Sequence, residues 1–476
     1  MTPEEILARH ARALERRRPL ESLWQACYDH VLPDAAQAPA LFDATAADAV
    51  EQLAASLLAE LTPPWSRWFG LSPARSSRDA SARATGDRAV AEALEDAATT
   101  LQGHFDRSNF VVEMHQAFLD LVVAGTGLLL VEEAPLGEAS AFRFTAVPIR
   151  HAVLEEGPDG RLSTVHRGAR LTAAQLRARF PAAALPPDVE RAAAADDPAQ
   201  HPVLEAVWPE RAGIRYAAVL ADPSSPLLLA EGRFAENPCI AFRWLKAPGE
   251  TYGRGPVMKA LPDIRTANKV VELVLKNASI ACTGIWQAED DGVLNPDTVK
   301  LIPGAIIPKA PGSAGLTPLA APGNFDVSQL VLDGLRARIR TALLADRLAP
   351  PDGARKTATE VLERGAQAAR LLGATYGRLQ SELLTPLVAR CLAILRRRAE
   401  IPPILPDGRE VALRYESPLA RQQGRADAAN TLLFLQAVNS IGGDAAAQLD
   451  AAAATRWLAR TLGAPVEVLI PHTDGR

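Results

Sequence analysis

The pattern that most restricts what this chain can fold into lies between residues 326 and 398: an amphipathic helix, a short proline- and glycine-bearing break, and a second, much longer helix. The long helix announces its start. Thr357 is followed three residues on by Glu360, a capping box in which hydroxyl and carboxylate each take up a backbone N–H that lacks a partner inside the helix. From there Ala368, Leu372, Tyr376, Leu379, Leu383, Leu387, Cys391 and Ile394 recur at spacings of three and four, one apolar stripe. Glu363, Arg364, Gln367, Arg370, Arg378 and Glu382 fall away from it and are expected to form a polar side. Unbroken to Arg398, such a helix is roughly 60 Å long. Pro386 is expected to bend it without ending it, and Pro402 and Pro403 to stop it. Gly365, Gly373 and Gly377 each cost about 1 kcal/mol against alanine, so a neighbouring backbone is expected to come close there.

A chain of 476 residues, 48% of them hydrophobic, can bury a large core and suggests about three domain-sized units. Its net charge of -5 excludes the strongly basic composition that wraps DNA with high affinity. Cys27, Cys239, Cys282 and Cys391 lie far apart without CxxC or Cys/His spacing, and read as reduced, mostly buried thiols of a cytosolic protein. The charged N-terminus argues against a secretory signal, and the longest apolar run, 121–131, is too short to span a bilayer.

Ahead of the long helix the chain reads as α+β. Thr2, Pro3 and Glu5 open a helix, and Pro19 is expected to divide it from a second one ending near Leu32. Asp43 caps a third, with Val50, Leu53, Leu57 and Leu61 on one face. Trp65, Trp68 and Phe69 follow, and read as an aromatic plug fixing a loop to the core rather than a ligand platform. After helices over 86–104 and 111–122, strands are expected at 127–132, 142–149, 152–156 and 161–167. A helix at 173–180 leads into a stretch, 182–200, whose composition tolerates disorder, and strands follow at 203–208, 214–220, 227–230 and 240–244.

The hexapeptide TYGRGP, 251–256, lacks the lysine and hydroxyl of a phosphate loop, so it reads as a turn into a helix begun by Pro256. That helix, 257–282, carries Arg265, Lys269, Glu272 and Lys276 on one face. A Pro/Gly-rich subdomain, 284–324, with a strand at 301–307, precedes the helix 326–347. Leu332, Leu335, Ile339 and Ala342 form the apolar face of the latter, opposite Asp333, Arg336 and Arg340. Proline and glycine make 349–356 a loop. From Asp333 to Lys356 six basic residues (Arg336, Arg338, Arg340, Arg347, Arg355, Lys356) face three acidic ones, a local +3 in an acidic chain. A strand at 411–415 and helices at 425–438 and 444–462 complete the reading.

In order, the segments LFDATAADAVEQLAASLLAELTPPWSRWFGL, ETYGRGPVMKALPDIRTANKVVE and KTATEVLERGAQAARLLGATYGRLQSELLTPLVARCLAIL resemble the head-to-tail connecting, or portal, proteins of short-tailed bacteriophages. The resemblance implies a predominantly helical α+β portal fold of wing, stem, clip and crown with a long spine helix. Residues 1–256 correspond to the wing, 257–283 and 326–348 to the stem helices, and 284–325 to the clip. Residues 349–356 correspond to the channel loop, 357–424 to the spine and return to the wing, and 425–476 to the crown. It further implies a homo-oligomeric ring, a dodecamer, at the capsid vertex of the virion, assembled in the host cytoplasm. The partners would be double-stranded DNA held without regard to sequence, the large terminase, the major capsid protein and tail adaptor proteins, with no cofactor and no membrane. Arg347, Arg355, Lys356, Arg336, Arg340, Lys269 and Lys276 are the residues expected to face DNA, because a ring multiplies a modest local charge into a basic belt.

An enzyme is not expected. There is no Walker loop and no GxSxG; the neighbouring carboxylates Glu132 and Glu133, Glu155 and Glu156, and Asp290 and Asp291 are poorly placed to chelate; His104 and His115 lack metal-ligand spacing. The alternative is a helical virion scaffold or adaptor that never touches DNA, differing in stoichiometry and in whether the basic loop matters.

Overall fold

The computed structural model describes residues 1–33, 40–64, 66–73, 84–195, 197–211, 213–222, 225–283, 286–288, 310–312, 316–318, 325–345, 373, 375–402, 411–415, 428, 430–438, 440 and 451–462. Elements are numbered in chain order. α1 (Pro3–Val31) opens with the expected Thr2/Glu5 capping box but is one helix, not two, and runs straight through Pro19. Pro19 and Glu15, whose carbonyl loses its donor, are both exposed, so water can satisfy that carbonyl. On the inner face Arg17 pins the helix, donating from its guanidinium to the carbonyl oxygens of Ile149, Arg150 and Ala152 at 3.3, 3.1 and 2.6 Å.

α2 (Thr45–Leu61), α3 (Ala84–Asp106) and the almost wholly apolar α4 (Phe110–Ala124) follow. Trp68 and Phe69 are buried, as a plug should be. Trp68 lies 4.8 Å from Phe69 and Phe105 lies 4.7 Å from Phe110, ring centre to ring centre, with Phe142 and Phe144 completing the cluster. Trp65 lies outside the described residues. β1 (Phe69–Pro73) pairs antiparallel with the return strand β12 (Val411–Tyr415), joining the chain's late part to its early helices.

Two further sheets follow α4. β2 (Thr126–Glu133) is the centre of a three-stranded sheet between β3 (Phe142–Ala146) and β9 (Cys239–Arg243). β3 stops at Ala146, short of the expected 149, because Pro148 leads into a 3-10 turn, Ile149–His151. β4 (Ala152–Glu156), β5 (Leu162–Thr172), β6 (Gln200–Glu210), β7 (Gly213–Leu220) and β8 (Leu227–Phe234) form an antiparallel meander in sequence order. Between β5 and β6 come α5 (Ala173–Arg179) and, within the stretch whose composition tolerates disorder, α6 (Pro187–Ala194). Leu185 and Val189 are buried with Leu176 and Phe180, and that small core outweighs the polar composition around it.

α7 (Pro256–Thr283) and α8 (Phe325–Ala342) form an antiparallel pair, joined at the far end by a short ladder of β10 (Trp286–Ala288) and β11 (Leu316–Pro318). The expected strand 301–307 and most of the intervening subdomain lie outside the described residues. α8 ends at Ala342 rather than 347: Leu344 adopts a left-handed conformation, φ 57°, which breaks the helix while Leu343 and Ala345 are buried.

Of the long helix the described part begins at Gly373, so the Thr357/Glu360 box and Gly365 lie outside it. Tyr376, Leu379, Leu383, Leu387, Cys391 and Ile394 are buried, as the stripe requires. Instead of a simple bend before Pro386 there is one π turn, Gln380–Leu384, followed by α9 (Thr385–Arg397). Pro386 has no N–H to offer Glu382 and its ring would crowd that carbonyl; one extra residue in the turn relieves both. Glu382, expected on the polar side, is buried. A methyl placed on Gly373 or Gly377 meets nothing within 4 Å, so the expected close approach is not made inside the described chain. Residues 430–438 are helical and α10 (Ala451–Leu462) is the last described element. α2, α4, the first half of α7, the second half of α8 and α9 share one hydrophobic core.

Candidate channel-lining hairpin and its anchorage

α7 leaves the core along its length. Val257, Ala260, Leu261, Ile264 and Ala267 are buried, whereas Leu273 and Leu275 are exposed. α8 returns the same way, with Leu330 and Val331 exposed and Leu332, Leu335 and Ile339 buried. The two helices together carry seven basic and four acidic residues, an excess of +3 in a chain of -5.

Several of those cations are already engaged. Arg336 donates to Asp43 at 2.9 Å, and Arg338 to Asp263 at 2.9 Å. Burial opposes ionisation of Asp43, yet hydrogen bonds from Thr45 and the Arg336 pair outweigh it and hold its carboxyl below the usual range. Lys269 and Lys276 share one carboxylate, Glu272, at 2.9 and 2.5 Å. Hydrogen bonds from Lys276 and then Lys269 lower the Glu272 pKa. Arg340 is exposed and makes no ion pair among the described residues. Arg347, Arg355 and Lys356 lie outside them. Of the seven residues expected to face DNA, the structure therefore brings Arg336, Arg340, Lys269 and Lys276 onto one hairpin.

The hairpin is fixed at its base by backbone against backbone. α4 ends at Gly125, φ 77°, and a methyl there would lie 2.4 Å from the Gly255 nitrogen and 2.5 Å from the Gly253 oxygen. A methyl on Gly253 would lie 2.0 Å from the Gly125 oxygen. The two glycines of TYGRGP thus fold over the C-terminus of α4, and Gly253 donates its N–H to the Thr126 hydroxyl at 2.8 Å. The neighbouring Tyr252 hydroxyl accepts from the Leu154 N–H at 2.9 Å, and its ring meets Trp24 edge-on. On the other flank the Asn268 side-chain oxygen accepts the N–H groups of Phe42 and Asp43 at 2.7 and 3.2 Å. The approach to α2 therefore touches both helices of the hairpin, α7 through Asn268 and α8 through Arg336.

Behind the clasp sits a buried ion pair. Arg243, at the end of β9, is 0% exposed, and its guanidinium donates to Glu382 at 2.7 Å, to the Gly160 carbonyl at 2.7 Å and to the Thr251 carbonyl at 3.0 Å. The Arg243 N–H also donates to Glu382, at 3.0 Å, and Arg378 donates to the same carboxylate at 3.0 Å. The π turn is what aims Glu382 inward, so the spine, β9, the β4–β5 turn and the TYGRGP loop meet at the Arg243 guanidinium, which the Glu156 carboxylate at the end of β4 also approaches, to 3.5 Å.

Sequence reasoning missed Arg243, Glu382, Asp43's second partner and Asn268, since no spacing rule couples residues 139 apart. A signal did exist for Gly125: a glycine directly after a long apolar helix is the usual C-terminal cap. His104 accepts the Ala141 N–H on Nδ1 at 3.0 Å, which puts its proton on Nε2, 2.7 Å from Glu400; it fastens α3 to the end of the spine. Among the described residues no group of His, Cys, Asp and Glu could hold a metal ion, and no helix is long and apolar enough to cross a membrane.

Residues 3–469 match the family described as bacteriophage head to tail connecting protein. The chain belongs to that family. This connector is 25% identical over 503 residues to a probable portal protein of Bordetella phage BPP-1, covering 98% of this chain and 88% of the relative. It is 27% identical over 176 residues to the portal protein of Escherichia phage T7, covering 36% and 33% of the two chains. A subunit from the neck of an empty gene transfer agent particle is similar over 94% of both chains at 11% identity and a TM-score of 0.41. The connector is accordingly a phage portal protein, the piece that joins head and tail.

Proposed function

We propose that this connector closes head to tail into a ring, a dodecamer, at the head–tail junction of the virion, and that double-stranded DNA passes through its hole during packaging and ejection. The observation that carries the reading is an excess of positive charge on a hairpin that projects out of the core of an acidic chain. Repeated around an axis, Arg340 and the basic loop with Arg347, Arg355 and Lys356 would form a belt that meets phosphates whatever their sequence. Arg336 stands at its edge, paired with Asp43. Each contact is weak and screened by salt, which suits a surface along which a genome slides rather than one that holds it. The far end of the hairpin would meet the large terminase during filling and a tail adaptor afterwards, and the wing would meet the major capsid protein. Assembly would take place in the host cytoplasm.

Two measurements test this. Negative-stain images of the purified protein should show rings with a central hole; compact monomers without one refute ring formation. Reversing the charge of Arg340, Arg347, Arg355 and Lys356 should leave rings intact while packaged DNA falls about tenfold or more. Normal packaging by that variant refutes the channel assignment.

A further inference from the structure

The outer faces of the hairpin carry exposed leucines flanked by opposite charges. On α7, Leu273 has Lys269 four residues before it and Lys276 three after; on α8, Leu330 has Asp333 three after. Residues so spaced share one side of a helix. Leu273 is 49% and Leu330 76% exposed, though the residues nearer the base of both helices are packed away. Leu273 is nine residues from buried Ile264, about 180° around the helix, and Leu330 is five from buried Leu335, about 140°. Each pattern therefore points away from its helix's buried side.

The heights agree as well. The Asp263–Arg338 pair, 2.9 Å, sets the register of the antiparallel helices. Counting outward from it, Leu273 stands level with residue 328, two residues or about 3 Å from Leu330. By the same count Lys269 stands nearly level with Asp333.

We infer that the Lys269, Leu273, Lys276 face of one copy docks on the Leu330, Asp333 face of the next. Lys269 meets Asp333 and Leu273 packs on Leu330. This rests on the ring reading and adds the seam between neighbouring copies. Copies related by rotation about an axis along the hairpin set α7 of one antiparallel to α8 of the next, the orientation in which the two patterns match. A two-fold dimer through either face would instead oppose lysine to lysine or aspartate to aspartate, whereas a head-to-tail seam needs two different complementary patches. Glu272 already holds both ammonium groups, and Gln329 donates to Asp333 at 3.1 Å, so both faces are ordered before they meet. On this assignment Lys269 and Lys276 belong to the seam and not to the channel wall.

The test is a cross-link. A chain carrying Leu273→Cys, Leu330→Cys and Cys282→Ser, treated with a short bis-maleimide, should give a ladder of dimer, trimer and larger species on a denaturing gel; each single cysteine alone should leave monomer. Cys27, Cys239 and Cys391 are buried and do not compete. Intact rings without a ladder overturn the seam and leave the ring reading standing, while a wild-type protein that forms no rings overturns the ring reading itself. As a second measure, Asp333→Lys should raise the concentration needed for half assembly at low salt about tenfold or more. Assembly unchanged by that substitution overturns the inferred contact.

Discussion

Replacing Glu382 by alanine takes from the fully buried Arg243 guanidinium the nearer of its two carboxylates, at 2.7 Å, and leaves Glu156 at 3.5 Å. Glu382 accepts from the guanidinium and from the N–H of Arg243, and from Arg378 as well. Removing one partner of a buried ion pair costs about 3–5 kcal/mol, because the charge left behind loses its compensation where water cannot reach it. Arg243 keeps the carbonyls of Gly160 and Thr251 and the Glu156 carboxylate at 3.5 Å, which places the expected loss at the lower end of that range. Glu382→Gln keeps the shape but not the charge and should lose about 1.5–3 kcal/mol. The double variant Arg243→Met, Glu382→Leu should be milder than Glu382→Ala, since no fully buried charge is then stranded and Glu156 keeps Lys246. Amide hydrogen exchange over residues 239–243 and 380–397 reads this without requiring two-state unfolding of the whole chain: protection should fall by about two to three decades in Glu382→Ala, at 1.4 kcal/mol per decade. A fall of less than one decade, or a double variant worse than Glu382→Ala, would show that the pair does not hold the spine to the sheet.

Three other outcomes are expected. Gly253→Ala places a methyl 2.0 Å from the Gly125 oxygen and should yield insoluble protein, whereas Gly137→Ala, at a left-handed position facing open space, should cost about 1 kcal/mol in a thermal melt. Burial raises the Asp120 pKa to about 6 against hydrogen bonds from Tyr28 and the Ile149 N–H. Its folded value thus lies above the ordinary 3.8, so its contribution is fully present below that pH and is lost as pH rises through about 6. Asp120→Asn should flatten the melting temperature over that window, and an unchanged slope would contradict the assignment. Burial pushes the Cys27 and Cys239 thiols up to about 12 and raises Cys391 too, so none of the three should react with a thiol reagent at pH 8 until the chain unfolds.

What was legible in the sequence was whatever follows from local spacing. The stripe from Tyr376 to Ile394, the Thr2 capping box, the aromatic plug and the hairpin helices all depend on residues within a few positions of one another, and all are present. The failures have a common cause in distant partners. Pro19 signals a break unless Arg17 is known to hold the helix from its other side, and Leu344 closes α8 because the core takes the residues on either side of it. Counting at 3.6 residues per turn puts Glu382 on the polar side, a count that the π turn before Pro386 resets. TYGRGP was legible as a turn, but not as half of a clasp, because its other half is a glycine more than a hundred residues earlier.

The glycine clasp has a consequence for closure. Gly125, Gly253 and Gly255 meet through main-chain atoms alone, so the angle at which the hairpin leaves the body is set by rigid peptide planes and not by side chains that can shift rotamer to accommodate error. In the proposed ring, which must return to its first member, any misalignment per copy would accumulate around the circuit. A joint without adjustable parts would keep every copy turning by the same amount, and the last gap would then fit like the first.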